Sequence, residues 1–125
     1  MRYLLDSTVL IDHGHGRPGA VELLDSLFSE PNDLYVCDVV VTEALSGGSD
    51  DERKVIQALI RVLEYVSTHP DAAVHAADVR RGRKTSPRSL ADALIAAVAW
   101  SLDATVVTRN PVDFQRLGVD VRTYD

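Results

Sequence analysis

The chain has 125 residues, enough for one compact domain that buries roughly two-thirds of the surface its unfolded form exposes. Hydrophobic residues make up 46% and charged residues 26%, with 7 Gly and 5 Pro, which excludes a disordered, collagen-like or low-complexity chain. The net charge is −6 and Cys37 is the only cysteine, so an internal disulfide and a cysteine-based zinc site are excluded, and nonspecific binding to nucleic acid is disfavoured.

Tyr3-Leu4-Leu5 is a short apolar run ended by Asp6, the signature of a buried strand, and Gly14, Gly16 and Pro18 mark a loop after it. Ala20, Leu23, Leu24, Leu27 and Phe28 follow helical spacing up to a Pro31-Asn32 break. Residues 34–37 read as a second strand, and Asp38 is placed to cap a helix running to Leu45, stopped by Gly47-Gly48. Val55, Ile56, Leu59, Ile60 and Leu63 share one helical face; a brief strand is expected over 64–67 and another helix over 71–81. The clearest element is a helix over 87–102. Ser86 suits its cap and Pro87 its first position, five alanines favour the helix, and 93–102 carries no charge, so burial is expected. Residues 104–108 follow as a strand, Asn110-Pro111 turns the chain, and 119–123 makes a last strand. Strands alternating with helices predict an α/β sandwich with a mostly parallel sheet, as one domain over 1–125. Asp6 argues against a signal peptide, and Asp92 and Asp103 interrupt the most apolar stretch, so a soluble, cytoplasmic protein is expected.

Charge is unevenly spread. Residues 1–62 carry 5 basic and 11 acidic groups, whereas 63–125 carry 8 of each. Within that neutral half Arg80, Arg81, Arg83, Lys84 and Arg88 gather five positive charges. Such a run is either a solvated loop or a rim that contacts phosphates.

In open parallel sheets, ligands bind outside the carboxyl ends of the strands. Asp6 closes the first predicted strand, Asp113 follows the strand ending at Thr108, Glu43 lies on the helix after the second strand, and Asp92 in the first turns of the alanine-rich helix. Convergence of four carboxylates is costly unless cations or protons neutralise it, and an oxygen-only set suits Mg²⁺ or Mn²⁺. Each acid also has a structural account. Asp6 ends a strand, Ser89 with Asp92 has capping-box spacing, and Asn110 with Asp113 has the same relation ahead of Phe114. Glu43, among Val39, Val40, Val41, Ala44 and Leu45, is harder to explain that way. His13 and His15 fall in the Gly-rich loop and His69 and His75 at the surface, with no third ligand to make a zinc site.

The segments around these acids resemble the four motifs of the PIN-domain nucleases. They are Tyr3-Leu4-Leu5-Asp6-Ser7-Thr8-Val9-Leu10-Ile11-Asp12, Val41-Thr42-Glu43-Ala44, Leu90-Ala91-Asp92-Ala93-Leu94-Ile95-Ala96-Ala97 and Thr108-Arg109-Asn110-Pro111-Val112-Asp113-Phe114. Their order and spacing agree over the whole chain. The short single-domain form is similar to the VapC-type toxin of VapBC toxin–antitoxin pairs. The resemblance implies a PIN-like three-layer sandwich and an Mg²⁺- or Mn²⁺-dependent endoribonuclease that hydrolyses RNA phosphodiester bonds with metal-activated water. It further implies a small VapB-like antitoxin partner and a homodimer. By motif position Asp6 and Asp92 would be the principal metal ligands, with Glu43 and Asp113 completing the catalytic set, and Thr8, or less readily Ser7, would support the first motif through its hydroxyl. Thr8, Asn110 and Arg88 are expected to meet the substrate, Arg88 as part of the arginine run that precedes the Asp92 helix. The loop 12–17 is more polar than the family's usual continuation into its first helix. Rival readings are an RNA-processing PIN nuclease without an antitoxin, a catalytically silent PIN-like binding module, and a receiver-type phosphoacceptor domain. The last lacks the expected acidic neighbour of Asp6 and a lysine beside a late strand.

Overall fold

The computed structural model describes residues 1–82 and 90–125. Its strands are β1 (Arg2–Leu5), β2 (Asp33–Cys37), β3 (Glu64–Val66), β4 (Thr105–Val107) and β5 (Val121–Arg122), joined in one sheet in the order β3-β2-β1-β4-β5. Every pairing is parallel: Leu4 faces Tyr35 on one side and Val106 on the other, and Leu5 faces Val107. The central strands are buried on both faces, and for that reason read as unbroken apolar runs rather than alternating ones. Leu4, Leu5, Val36, Val106 and Val107 are fully enclosed. The edge strands β3 and β5 are three and two residues long, which limits the unpaired edge open to another chain.

Around the sheet lie α1 (Ser7–Gly14), α2 (Pro18–Phe28), α3 (Asp38–Leu45), α4 (Asp50–Arg61), α5 (Pro70–Gly82), α6 (Leu90–Leu102) and α7 (Pro111–Arg116). The helix α1 packs on α2, α3 and α4, while α5 packs on α6, and α6 reaches β1, β4, α3 and α7. The alanines of α6 permit this crowding: Ala93, Ala97 and Ala99 are buried beside Ile95 and Val98. The expected burial of 93–102 holds except at its end, where Trp100 is exposed and stacks on His75 of α5 with ring centroids 4.0 Å apart.

Several sequence expectations require correction. Residues 7–14 form a helix where a loop was expected to begin, so His13 is helical and His15 is its C-cap. Burial of Val9 and Leu10 in the core outweighs the low helix propensity of Thr8, Val9 and Ile11. Asp38 does not cap α3. Cys37 holds that position, and the Asp38 carboxylate accepts bonds from the backbone N–H (3.1 Å) and hydroxyl (2.7 Å) of Thr68, tying the exit of β3 to α3. Burial alone would raise the Asp38 pKa, but the Thr68 bonds outweigh it and leave the group below its usual range. Leu63 lies beyond the end of α4, and the last strand is confined to Val121 and Arg122. The cap at Ser86, the first position at Pro87 and the Ser89 partner of Asp92 lie outside the described residues.

Candidate active site

The chain leaves β1 towards β2 and β3 on one side, then returns to place β4 and β5 on the other. The strand order therefore reverses beside β1, and open α/β sheets bind ligands at such a point, outside the carboxyl ends of the strands, here β1 and β4. Asp6 follows β1 directly, and the Leu5–Val107 register sets Thr108 next to it. Both side chains are buried, Asp6 with 3% of its surface exposed.

Asp6 stands at the N-cap of α1 yet makes no capping bond with its side chain. The carboxylate is engaged elsewhere. Its Oδ2 accepts from the Thr8 hydroxyl at 3.1 Å and the Thr108 hydroxyl at 2.9 Å; Oδ1 has only a long contact, 3.4 Å, from Ser7. The Thr8 oxygen in turn accepts the backbone N–H of Arg109 (3.2 Å), and the Thr108 oxygen accepts that of Asn110 (3.0 Å). Because a hydroxyl proton rotates to suit its surroundings, these two N–H groups turn both threonine protons towards Asp6. The Thr8 hydroxyl is thus committed within the protein. Asn110 occupies the N-cap of α7 without a side-chain capping bond, so the capping role considered for it does not hold.

The four acids named from the sequence come together at this end of the sheet. Asp92, in the first turn of α6 and partly buried, has a pKa raised from 3.8 to about 6. Burial is the largest cause, followed by the negative charges of Asp6, Asp113 and Glu43. A carboxylate at a helix start normally gains from the helix dipole; at Asp92 desolvation and three like charges prevail. The Glu43 pKa is also raised, first by loss of water around the carboxyl and further by Asp6, with Ser7 partly offsetting. Glu43 and Asp113 are themselves exposed. The apolar sequence around Glu43 therefore did not imply its burial, because α3 turns Val40 and Ala44 inward.

Among the described residues, no three acidic, histidine or cysteine side chains are drawn tightly enough to enclose an ion unaided. The oxygen-only donors of Asp6 and Asp92 are of the kind that suits a hard divalent cation keeping several of its waters. The strained charge at Asp92 and the spare lone pairs of Asp6 Oδ1 are donor chemistry of that kind. Cys37 contributes no nucleophile, since burial first of all pushes its thiol up to about 11.

A second polar group adjoins the site and escaped the sequence reading. Asp12, with 6% of its side chain exposed, accepts from Arg109 Nε (2.7 Å) and Nη2 (3.3 Å), and from the Tyr124 hydroxyl (2.7 Å). The only trace in the sequence is that Thr8 and Asp12 are four residues apart, which puts them on one face of a helix. Their partners come from the far end of the chain. Of the basic run, Arg80 and Arg81 end α5, while Arg83, Lys84 and Arg88 lie outside the described residues.

Comparison with known proteins agrees with this architecture. The sequence profile of the PIN domain matches residues 3–119. Ribonuclease VapC19 of Mycobacterium tuberculosis is 29% identical over 109 residues, covering 86% of this chain and 87% of that one. Among solved structures, VapBC2 from Rickettsia felis, bound to a DNA fragment from its promoter, superposes over 100% of both chains with a TM-score of 0.81 at 20% identity. FitAcB from Neisseria gonorrhoeae does so over 95% of both chains with a TM-score of 0.72 at 25% identity.

Proposed function

The chain belongs to the PIN domain family, and on that footing we propose that it is a divalent-metal-dependent endoribonuclease, the toxin of a VapBC-type toxin–antitoxin pair. The observation that carries the reading is the gathering of Asp6, Glu43 and Asp113 around Asp92 where the strand order reverses; burial first, and then those three charges, push the Asp92 carboxyl up. The likeness to a named ribonuclease over most of both chains supports RNA as substrate. Solved relatives described as VapBC support a small antitoxin partner. We extend the reading to action as a homodimer in the cytoplasm, with residues 1–125 as one catalytic domain. Among the described residues, no helix is long and apolar enough to cross a membrane.

In this mechanism Asp6 and Asp92 would hold the ion, with Glu43 and Asp113 completing the acidic set. A bound divalent ion supplies the positive charge that acidifies water and neutralises the scissile phosphate. The protein's own contribution is orientation. Thr8 and Thr108 fix Asp6 Oδ2 and leave Oδ1 with lone pairs to offer. Neighbouring acids raise the proton affinity of Asp92, which suits a group that gains from a cation. Arg80 and Arg81 stand in the last turn of α5, the helix before that of Asp92, and in this reading they would guide the phosphate backbone towards the acids. The net charge of −6 repels RNA at long range, so productive binding depends on the ion and these local cations.

Incubation of the pure protein with a panel of RNAs, in Mn²⁺ or in EDTA, tests the reading. Defined cuts are expected with Mn²⁺ alone, and Asp6→Asn and Asp92→Asn are each expected to reduce cleavage by at least about a hundredfold while far-UV circular dichroism stays unchanged. Full cleavage by either folded variant removes that residue from the mechanism.

A further inference from the structure

We propose that Asp12, Arg109 and Tyr124 are positioning residues that set the orientation of the Asp6 carboxylate through the Thr8 hydroxyl. The inference rests on the reading of Asp6 as a ligand of a divalent ion, and it deepens that reading. The contacts form a closed ring between one face of α1 and the segment that follows β4. Thr8 donates to Asp6 Oδ2 at 3.1 Å and accepts from the Arg109 backbone N–H at 3.2 Å. The Arg109 guanidinium then grips Asp12 at two points, 2.7 and 3.3 Å. Asp12 lies one helical turn beyond Thr8, so α1 holds Arg109 by both its main chain and its side chain.

This double hold has a chemical consequence. A threonine hydroxyl has one proton and rotates freely unless an N–H donor occupies its lone pair. With the Arg109 N–H in place, the Thr8 proton is directed to Asp6 Oδ2 at 3.1 Å rather than to the more distant Thr108 hydroxyl at 3.5 Å, and Oδ2 receives both Thr8 and Thr108. The lone pairs of Oδ1, met only by Ser7 at 3.4 Å, are then presented in one fixed direction. If Arg109 drifts, Thr8 turns away and Thr108 alone is left to hold Oδ2, so the carboxylate is less firmly oriented. Asp12 is the anchor of the ring because it is almost wholly buried, whereas the Arg109 side chain is 43% exposed. Alone, a half-exposed arginine would move. Tyr124 donates to the same Asp12 oxygen that receives Arg109 Nε. That bond holds the carboxylate plane in line with the guanidinium and links the end of the chain to the site.

The test measures binding of Mn²⁺ alone, by electron paramagnetic resonance of the free ion, before any RNA is added. For Asp12→Asn we expect Mn²⁺ affinity to fall about tenfold, as for other residues that orient a metal ligand from behind. In RNA cleavage at fixed Mn²⁺, kcat should fall by a similar factor with KM for RNA within about twofold. Thr8→Val should reproduce the loss. In the Thr8→Val background Asp12→Asn should add nothing, since both act on one contact. Should Asp12→Asn fail to fold, Tyr124→Phe serves in its place, with an expected loss of about threefold in Mn²⁺ affinity. Losses that multiply in the double variant overturn the inference, as does unchanged Mn²⁺ affinity in the folded single variant. Asp6→Asn separates the two levels. Loss of Mn²⁺ binding there with none in Asp12→Asn rejects only the positioning role, whereas retained binding in Asp6→Asn rejects the ligand role of Asp6 and the inference together.

Discussion

The Asp92 carboxyl links the proposed chemistry to stability, because its ionised form is unfavourable in the folded protein. Its pKa is about 6 when folded against 3.8 for the ordinary group. Below pH 3.8 both states are protonated and nothing is lost; as pH rises to about 6 the unfolded chain releases its proton first, so stability falls across that window. Above it the folded state bears the whole cost, about 1–2 kcal/mol once solvent screening of a partly buried group is allowed for. Asp92→Asn should therefore stabilise the metal-free protein by about that amount at pH 7.5, and the gain should vanish near pH 4. Urea unfolding in EDTA at the two pH values measures this, and equal midpoints at pH 7.5 would show that Asp92 is not crowded by negative charge. That Asp6 would close β1 was legible beforehand, since the apolar run of the strand stops there. The holders of Asp6 were not. Thr108 is adjacent only through the parallel register of β1 and β4, and Asp12 meets partners 97 and 112 residues away.

Helices were legible where apolar spacing is regular, whereas their caps were not: Asp38 does not cap α3, and the cap of α4 was not foreseen. In α4 the Ser49 hydroxyl accepts the Glu52 backbone N–H at 3.1 Å and donates to the Glu52 carboxylate at 3.1 Å. Asp50, Asp51 and Glu52 fill the first turn, which accounts for part of the acidic excess in the first half of the chain through the helix dipole. Ser49→Ala should cost about 1 kcal/mol, read as a lower urea midpoint with cleavage unaltered when assayed well below the transition; a midpoint unchanged within error would mean that α4 does not depend on this cap. By contrast α1 was hidden. Its β-branched residues and the glycines after it signal a loop, and its helix exists because Val9 and Leu10 fill the core. That term belongs to tertiary packing and has no local trace. The last strand was overextended for a related reason: only Val121 and Arg122 are in register with β4, and beyond them Asp120 lends just its carbonyl to the Val106 N–H at 2.9 Å.

Taken whole, the molecule places its most expensive charges where the strand order reverses, and a cation should repay that cost. At a concentration ten times its Kd, Mn²⁺ is expected to stabilise the fold by about 1.4 kcal/mol, a rise in Tm of about 5 °C, with no rise for Asp6→Asn. Calorimetry with and without the ion checks this, and an equal rise in both proteins would place binding elsewhere. The run of short apolar strands alternating with amphipathic helices was sufficient by itself to determine an α/β sandwich with a parallel sheet, because periodicity and strand burial are local properties of the chain. Only the folded chain decided that Asp6 gives one oxygen to two threonines and keeps the other free, that Glu43 is exposed, and that Asp12 clamps Arg109. Those outcomes depend on which strands neighbour one another and on through-space charge, and neither is written in the spacing of residues along the chain.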